Sequence, residues 1–503
     1  MQTGLTEDLR RGARARRHGG LAVTLLAGLL LTACAPSIRP PTFTPREQVP
    51  LAGLPTGQAG WPQAQWWKQY RDPQLDRLMQ MAQGHATTLD QALARYHSAA
   101  RQVDSERAKL GPTVGAAMGG GVGYGRNRVD GLPASLGRDS YSNASTSAGG
   151  IVGLTARWDL DLWGKQKAAV AQAVGLTRAA EAEQAVTANA LQYQIASSYY
   201  GWQTQQSRLA LSRQSEQLAS HLLQLAQSRV NAGIADPRDI DTSTAQLAQL
   251  RQASAGIDGQ ARLDRVALAA ILGVDPAQLD WLQPRPLPEP DTRLPADARI
   301  GLIARRPDIA AARWQIEASS RQIDQARAAF YPDVSLSALG AYLSSDPSFG
   351  SGLHLHGPFG GIGPSITLPI FESGRLKAAF AGSQAALDSA VADYNNTVVQ
   401  AAHDVAQRVL GMQQQQAEQL QQQARIEAIA HSGRRLDRMF HQGIADQRPV
   451  LDNQLQIQQL QDAELQLHGQ LLDSQLGLIH ALGGGYHATT LPALPAHSNQ
   501  DAH

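Results

Sequence analysis

Two apolar periodicities take turns along this chain. The first has a period of two. Val114, Ala116, Met118, Val122 and Tyr124 alternate with Thr113, Gly115, Ala117 and Gly119, and Val152, Leu154, Ala156, Trp158, Leu160 and Leu162 alternate with Gly153, Thr155, Arg157, Asp159 and Asp161. Farther on, Val334, Leu336, Ala338 and Tyr342 alternate with Asp333, Ser335 and Ser337, and Ile366, Leu368 and Ile370 alternate with Ser365 and Thr367. Side chains of a strand point to its two faces in turn, so this pattern predicts four strands, each apolar on one face and polar or small on the other. Each would run about 10–13 residues, enough for a tilted strand to cross a bilayer. Trp158, Trp163, Tyr124 and Tyr141 are placed to sit at the membrane interfaces. Pro364 and Pro369 count against the last strand, because each removes a ladder donor. From the pattern alone, a soluble antiparallel sheet fits as well.

The second periodicity is helical. Val391, Tyr394, Val398, Ala401 and Val405 step by 3, 4, 3 and 4, and Leu211, Leu218, Leu222 and Leu225 by 7, 4 and 3. This is coiled-coil spacing. It predicts very long helices from Gly164 to about Val230 and from Gly374 to about Phe440, each followed by a returning helix, to about Leu272 and Leu482. A helix of that length spans roughly 100 Å. Shorter helical stretches cover about 73–110 and 296–330. Stripes this narrow suit helices packed side by side in one layer; an isolated coiled-coil rod has the same periodicity.

The chain is written twice. Arg107-Ala-Lys-Leu-Gly-Pro112 is echoed by Arg327-Ala-Ala-Phe-Tyr-Pro332 at an offset of 220. Leu160-Asp-Leu-Trp-Gly164-Lys165 is echoed by Ile370-Phe-Glu-Ser-Gly374-Arg375, and Gly233-Ile-Ala-Asp236 by the identical Gly443-Ile-Ala-Asp446, both at offset 210. Three echoes in one order mark two copies of one unit. The segments are a leader at 1–33, an N-terminal segment at 34–71, a first repeat at 72–282, a proline-rich linker at 283–295, a second repeat at 296–485 and a flexible tail at 486–503.

Composition narrows the function classes. Lys+Arg number 44 and Asp+Glu 43, a balance that argues against nucleic acid as a partner. The leader carries Arg10, Arg11, Arg14, Arg16 and Arg17, then a mostly apolar stretch from Leu21 to Leu31, the plan of a signal peptide. It ends at Leu31-Thr32-Ala33-Cys34, where the chain's only Cys follows small residues as in a bacterial lipobox. Cys34 is therefore the expected site of lipidation, with Ala35 favouring delivery to the outer membrane. Acyl chains anchor through about 0.8 kcal/mol per buried CH2. A single Cys excludes a disulfide framework and multi-cysteine metal sites.

Two strands per copy give four per chain. Four cannot close a barrel, and open edges in lipid leave backbone groups unsatisfied. Several chains must share one barrel; two or three copies would supply eight or twelve strands.

In the order of its elements, its lipobox and several motifs, the chain resembles the TolC-like outer-membrane factors, specifically the NodT-type lipoproteins of tripartite efflux systems. The motifs are Trp158-Asp-Leu-Asp-Leu-Trp-Gly164, Arg305-Arg-Pro-Asp-Ile309, Gly363-Pro-Ser-Ile-Thr-Leu-Pro-Ile370 with Gly374-Arg375, and Pro73-Gln-Leu-Asp-Arg-Leu78 after Trp66-Trp67. The resemblance implies a mixed α and β membrane protein: a homotrimer whose twelve-stranded barrel continues into a long α-helical periplasmic barrel. It implies a passive duct without cofactors, fed by an inner-membrane pump through a periplasmic membrane-fusion adaptor, exporting small molecules such as drugs or aromatic compounds. It places the gate at the turns of the two long hairpins. Asp452 best matches a ring acid, with Asp446, Arg448, Asp236, Arg238, Asp239 and Asp241 as further gate and selectivity candidates. Gly233, Ile234, Ala235, Gly443, Ile444 and Ala445 become the adaptor-contact turns. Helix capping competes with gating for Asp236 and Asp446.

Other chemistry finds no support. Gly164-Lys165 is followed by Gln166, so there is no P-loop, and His354-Leu-His356 has no third ligand nearby. Gly119-Gly-Gly-Val-Gly-Tyr-Gly125 lacks the setting of a dinucleotide site. An enzyme is not expected. The reading from another class is a lipid-anchored periplasmic coiled-coil structural or adaptor protein.

Overall fold

The computed structural model describes residues 36–48, 60–130, 140–291, 305–347, 355–369, 372–488 and 490–494. The leader and Cys34 lie outside them. The helices are α1 (Pro73–His85), α2 (Thr87–Ala108), α3 (Lys165–Asn231), α4 (Arg238–Leu272), α5 (Pro307–Ala328), α6 (Ser373–His441) and α7 (Gln447–Ala481). The strands are β1 (Thr113–Asp130), β2 (Ser140–Leu160), β3 (Asp333–Pro347) and β4 (Leu355–Thr367). Both long helices thus run almost where their stripes placed them.

The strands form one antiparallel sheet in the order β1-β2-β3-β4. Its register sorts the residues by face. Val114, Ala116 and Met118 oppose Ala156, Leu154 and Val152, which in turn oppose Ala338, Gly340 and Tyr342. Those face Ile362, Gly360 and Pro358. Directly opposed residues share a face, so one face is apolar across all four strands. The other carries Thr113, Gly115, Thr155, Arg157, Ser337 and Gly363. Val114, Met118, Val122, Leu154, Ile362 and Ile366 are largely exposed in the single chain. A wet sheet would not keep its apolar residues on the solvent side; this face is built for lipid. The rod alternative leaves it unexplained. No described helix is long and apolar enough to cross a membrane.

Several boundaries depart from expectation. The strands are 18, 21, 15 and 13 residues long, because the backbone ladder continues through Gly/Ser-rich stretches that carry no apolar alternation. Leu162 and Leu368 fall just outside their strands, and Ile370 outside the described residues. Pro364 does lie within β4, which forms despite the missing ladder donor. His356 is in β4, and His354 is outside the described residues. The helix expected over 73–110 breaks at Ala86, whose backbone is extended. In the second copy the described residues show a similar interruption at Arg306, whose backbone is extended, between helical Arg305 and the start of α5 at Pro307.

The helices form a single layer. Near the sheet, neighbours run α2-α3-α5-α6; beyond the middle they run α4-α3-α7-α6. The predicted stripe is the seam: Val391, Tyr394, Val398 and Ala401 are completely buried, packed with Ile309, Ile316 and Ile323 of α5. A second core gathers at mid-height around Trp66, Trp67, Leu75, Tyr199, Leu268 and Leu472. There the proline-rich linker is pinned: Gln283 donates its N–H to Gln74 Oε1 at 2.7 Å, and Arg285 its N–H to Gln203 Oε1 at 2.7 Å. Residues 486–488 and 490–494 are not the free tail expected: Tyr486, Ala488 and Leu491 pack on Ala182, Ala310 and Ala311 of α3 and α5.

Candidate functional site

The distal end of the layer holds the two turns. Gly233 and Gly443 adopt left-handed backbone, φ 72° and 74°, which glycine reaches at no steric cost. Each turn closes the same way: Ile234 N–H donates to Arg229 O at 3.0 Å, and Ile444 N–H to Met439 O at 2.9 Å. These bonds cap the last helical carbonyls and swing the next residue outward. Ile234 and Ile444 are consequently 67% and 68% exposed, large apolar side chains presented at matching positions. Ala235 and Ala445 are half-buried behind them.

Charges join the two hairpins. Arg229, at the end of α3, pairs with Asp446 at the start of α7. Arg448 of α7 pairs with Asp239 of α4 at 3.1 Å, and lies 3.8 Å from Asp452 one turn along its own helix. Arg229–Asp446 and Arg448–Asp239 each reach from one repeat into the other. Asp236 instead serves its own turn, accepting from the Arg238 N–H at 2.9 Å and pairing with its guanidinium. That partner holds the Asp236 carboxyl below the usual carboxylate range. Asp446 both caps α7, accepting the Gln447 N–H at 2.7 Å, and bridges the hairpins. Asp241 is exposed, with no ion pair among the described residues.

The sequence candidates therefore divide. Asp446, Arg448, Asp239 and Asp452 meet at the seam; Asp236 and Arg238 form a local turn; Asp241 stands apart. Arg229 was missed. Its signal was available, a basic residue in the last turn before a glycine stop. The acids are largely matched by Arg, so the described tip is less negative than a bare ring of Asp. Among the described residues no group of three or more His, Cys, Asp or Glu has metal-holding geometry.

The model of a family described as outer membrane efflux protein matches residues 78–274 and 301–484. The multidrug resistance outer membrane protein MdtP of Escherichia coli K12 is 32% identical over 459 residues, covering 88% of this chain and 91% of that protein. MdtQ of Escherichia coli O157:H7, which carries the same description, is 32% identical over 469 residues, 91% of this chain and 96% of its own. Among solved structures, the outer membrane protein VceC of Vibrio cholerae superposes with a TM-score of 0.70 at 29% identity, covering 85% of this chain and 100% of VceC. The outer-membrane channel OprN gives 0.74 at 25% identity, covering 90% and 99%.

Proposed function

The chain belongs to the outer membrane efflux protein family, and from that membership we propose that three copies close one exit duct, gated at the hairpin tips and docked there to a periplasmic adaptor. The duct itself is an outer-membrane channel, not an enzyme, with its sheet in the membrane and its helices beneath.

One observation carries the assembly. Every layer of the chain leaves its open edges on the same two sides: β1, α2 and α4 on one, β4 and α6 on the other. Edges that differ from each other but repeat in every copy make head-to-tail contacts, which close into a ring. The helical edges carry unburied apolar side chains, Leu263 and Val266 on α4, Leu410 and Leu420 on α6. Their heights agree. Measured along the helices from the tip, Leu263 and Val266 lie at ~38 and ~42 Å, between Leu420 at ~32 Å and Leu410 at ~47 Å. A neighbour's α6 can therefore cover α4 over one apolar stretch while that neighbour's β4 pairs with β1. Twelve strands satisfy every edge that four leave open.

The gate follows from the seam. Opening the tip separates the hairpins of the two repeats and so breaks Arg229–Asp446 and Arg448–Asp239. Ile234 and Ile444 with their flanking residues supply paired apolar contacts for the adaptor, and an inner-membrane pump drives export. The cargo is small molecules of the drug or aromatic classes, in keeping with the multidrug description carried by MdtP and MdtQ. The test is purified protein in planar bilayers: an SDS-resistant trimer that conducts supports the reading, and a non-conducting single chain overturns it.

A further inference from the structure

The N-terminal segment is strapped along α6. Asp388 takes three bonds from it: Thr42 N–H at 2.6 Å, Thr42 Oγ1 at 2.9 Å and the Arg39 guanidinium at 3.1 Å. Two turns on, Asn395 Oδ1 accepts the Arg46 N–H at 2.8 Å, and Asn395 Nδ2 donates to Thr44 O at 2.9 Å. Tyr394 OH, from a ring otherwise sealed in the core, donates to Arg46 O at 2.8 Å. Pro41 and Pro45 are buried beneath the strap. Side chains that pair with backbone N–H and C=O groups at alternate positions form a peptide-binding groove.

The groove exists in one repeat only. At the equivalent places of α3 stand Arg178, Gln184 and Ala185 in place of Asp388, Tyr394 and Asn395. Arg178 would repel Arg39, and Ala185 offers nothing to the backbone. The pseudo-twofold of the chain is thereby broken for the strap, and a trimer has three such seats, not six.

The strap also has a direction and a length. Thr42 lies at Asp388, and Thr44 and Arg46 at Asn395, so earlier residues head toward the start of α6 and the sheet. Asp388 is ~22 Å along α6 from Ser373. Cys34 lies eight residues before Thr42, and Pro36, Pro40 and Pro41 fall in that stretch. Proline favours an extended chain rising ~3.1 Å per residue, so the stretch reaches ~25 Å.

We infer that Asp388, Tyr394 and Asn395 form a docking site for the chain's own N-terminal segment, and that residues 34–42 are a strut whose length matches the distance from that site to the base of the barrel. The acyl chains are then held at the periplasmic leaflet on a nearly taut tether. This rests on the reading of Cys34 as the lipidated residue.

Hydrogen–deuterium exchange on the full-length trimer in membranes tests both parts. Residues 42–48 exchange slowly in the parent protein, and Asp388→Ala with Asn395→Ala speeds them at least tenfold while the trimer persists. Unchanged exchange overturns the docking site. Deleting Pro36–Ile38 leaves a strut of ~16 Å, too short for the span. In the acylated protein that deletion frees residues 42–48; with Cys34→Ser as well, it leaves them protected. Protection that survives the deletion in acylated protein overturns the strut. An N-terminal peptide whose mass shows no lipid overturns the acylation reading and the strut together, while the exchange comparison still decides the docking site.

Discussion

Arg448 Nη1 lies 3.1 Å from Asp239 Oδ1, a contact between the first turn of α7 and the first turn of α4. These helices belong to different repeats, so the pair crosses the seam that must part for the tip to open. Half-exposed pairs contribute only about 0–1 kcal/mol each, but ring closure places three copies around one pore. Arg448→Ala removes the seam contact and unmasks Asp239 and Asp452 at once. We expect single-channel conductance to rise several-fold and cation selectivity with it, more at low salt than at high. Arg448→Lys should lie between. Unchanged conductance and selectivity would take Arg448 out of the gate. Asp452→Ala should lower cation selectivity, and an unaltered reversal potential would remove that acid.

A pH dependence resides at mid-height. The His480 ring is half-buried and stacks on Tyr193, with centroids 5.3 Å apart, and its covered Nδ1 has no hydrogen-bond partner among the described residues. Burial and then Arg306 push its pKa down; Asp308 and Asp404 pull up, and Arg408 pushes down. The folded protein therefore protonates the ring less readily than the unfolded chain, which takes up a proton near pH ~6.5. That contribution to stability is present above this pH and is lost as pH falls below it. The thermal midpoint of the trimer should drop from about pH 7 to 5, and His480→Phe, which keeps the stack, should flatten the drop. Superimposable pH profiles would refute it.

Two glycines should tolerate no side chain. Gly273 has φ 69°, and a Cβ there would collide with the His85 carbonyl oxygen; Gly483 has φ 96°, with the Arg305 carbonyl closer still. The first seats the end of α4 against the break between α1 and α2, and the second seats the end of α7 against Arg305. Alanine at either should destabilise by about 1–3 kcal/mol or more. Gly201, in the middle of α3 with open space around it, is the control: alanine there should be neutral or stabilising by up to about 1 kcal/mol. Equal thermal midpoints for all three variants would contradict this.

Much of the fold was legible because its signals are local. Strand alternation and the 3-4-3-4 stripe follow from side-chain direction alone, and the completely buried Val391, Tyr394, Val398 and Ala401 lie where that stripe put them. The break at Ala86 was not legible: no side chain caps the helix that follows it, and the glycine that packs against His85 lies far away in sequence. Nor were the seam pairs: an Asp beside a glycine turn looks the same whether it caps its own helix, as Asp236 serves its own turn, or also reaches another, as Asp446 does. Asp388 gave no sign, because its two partners, Thr42 and Arg39, lie 346 and 349 residues away. Charges and caps are read from neighbours in space.

Ring closure is tested most directly by paired cysteines. Within one chain, Leu263 and Leu420 lie on helices at opposite edges of the layer, three interhelical spacings or about 25–30 Å apart. In neighbouring copies of a closed ring they face each other. With Leu263→Cys and Leu420→Cys in one chain, a short bis-maleimide should give covalent dimers and trimers and nothing larger, while either single variant stays uncrosslinked. A double variant that yields no cross-linked species, or a ladder running past three, would contradict the account.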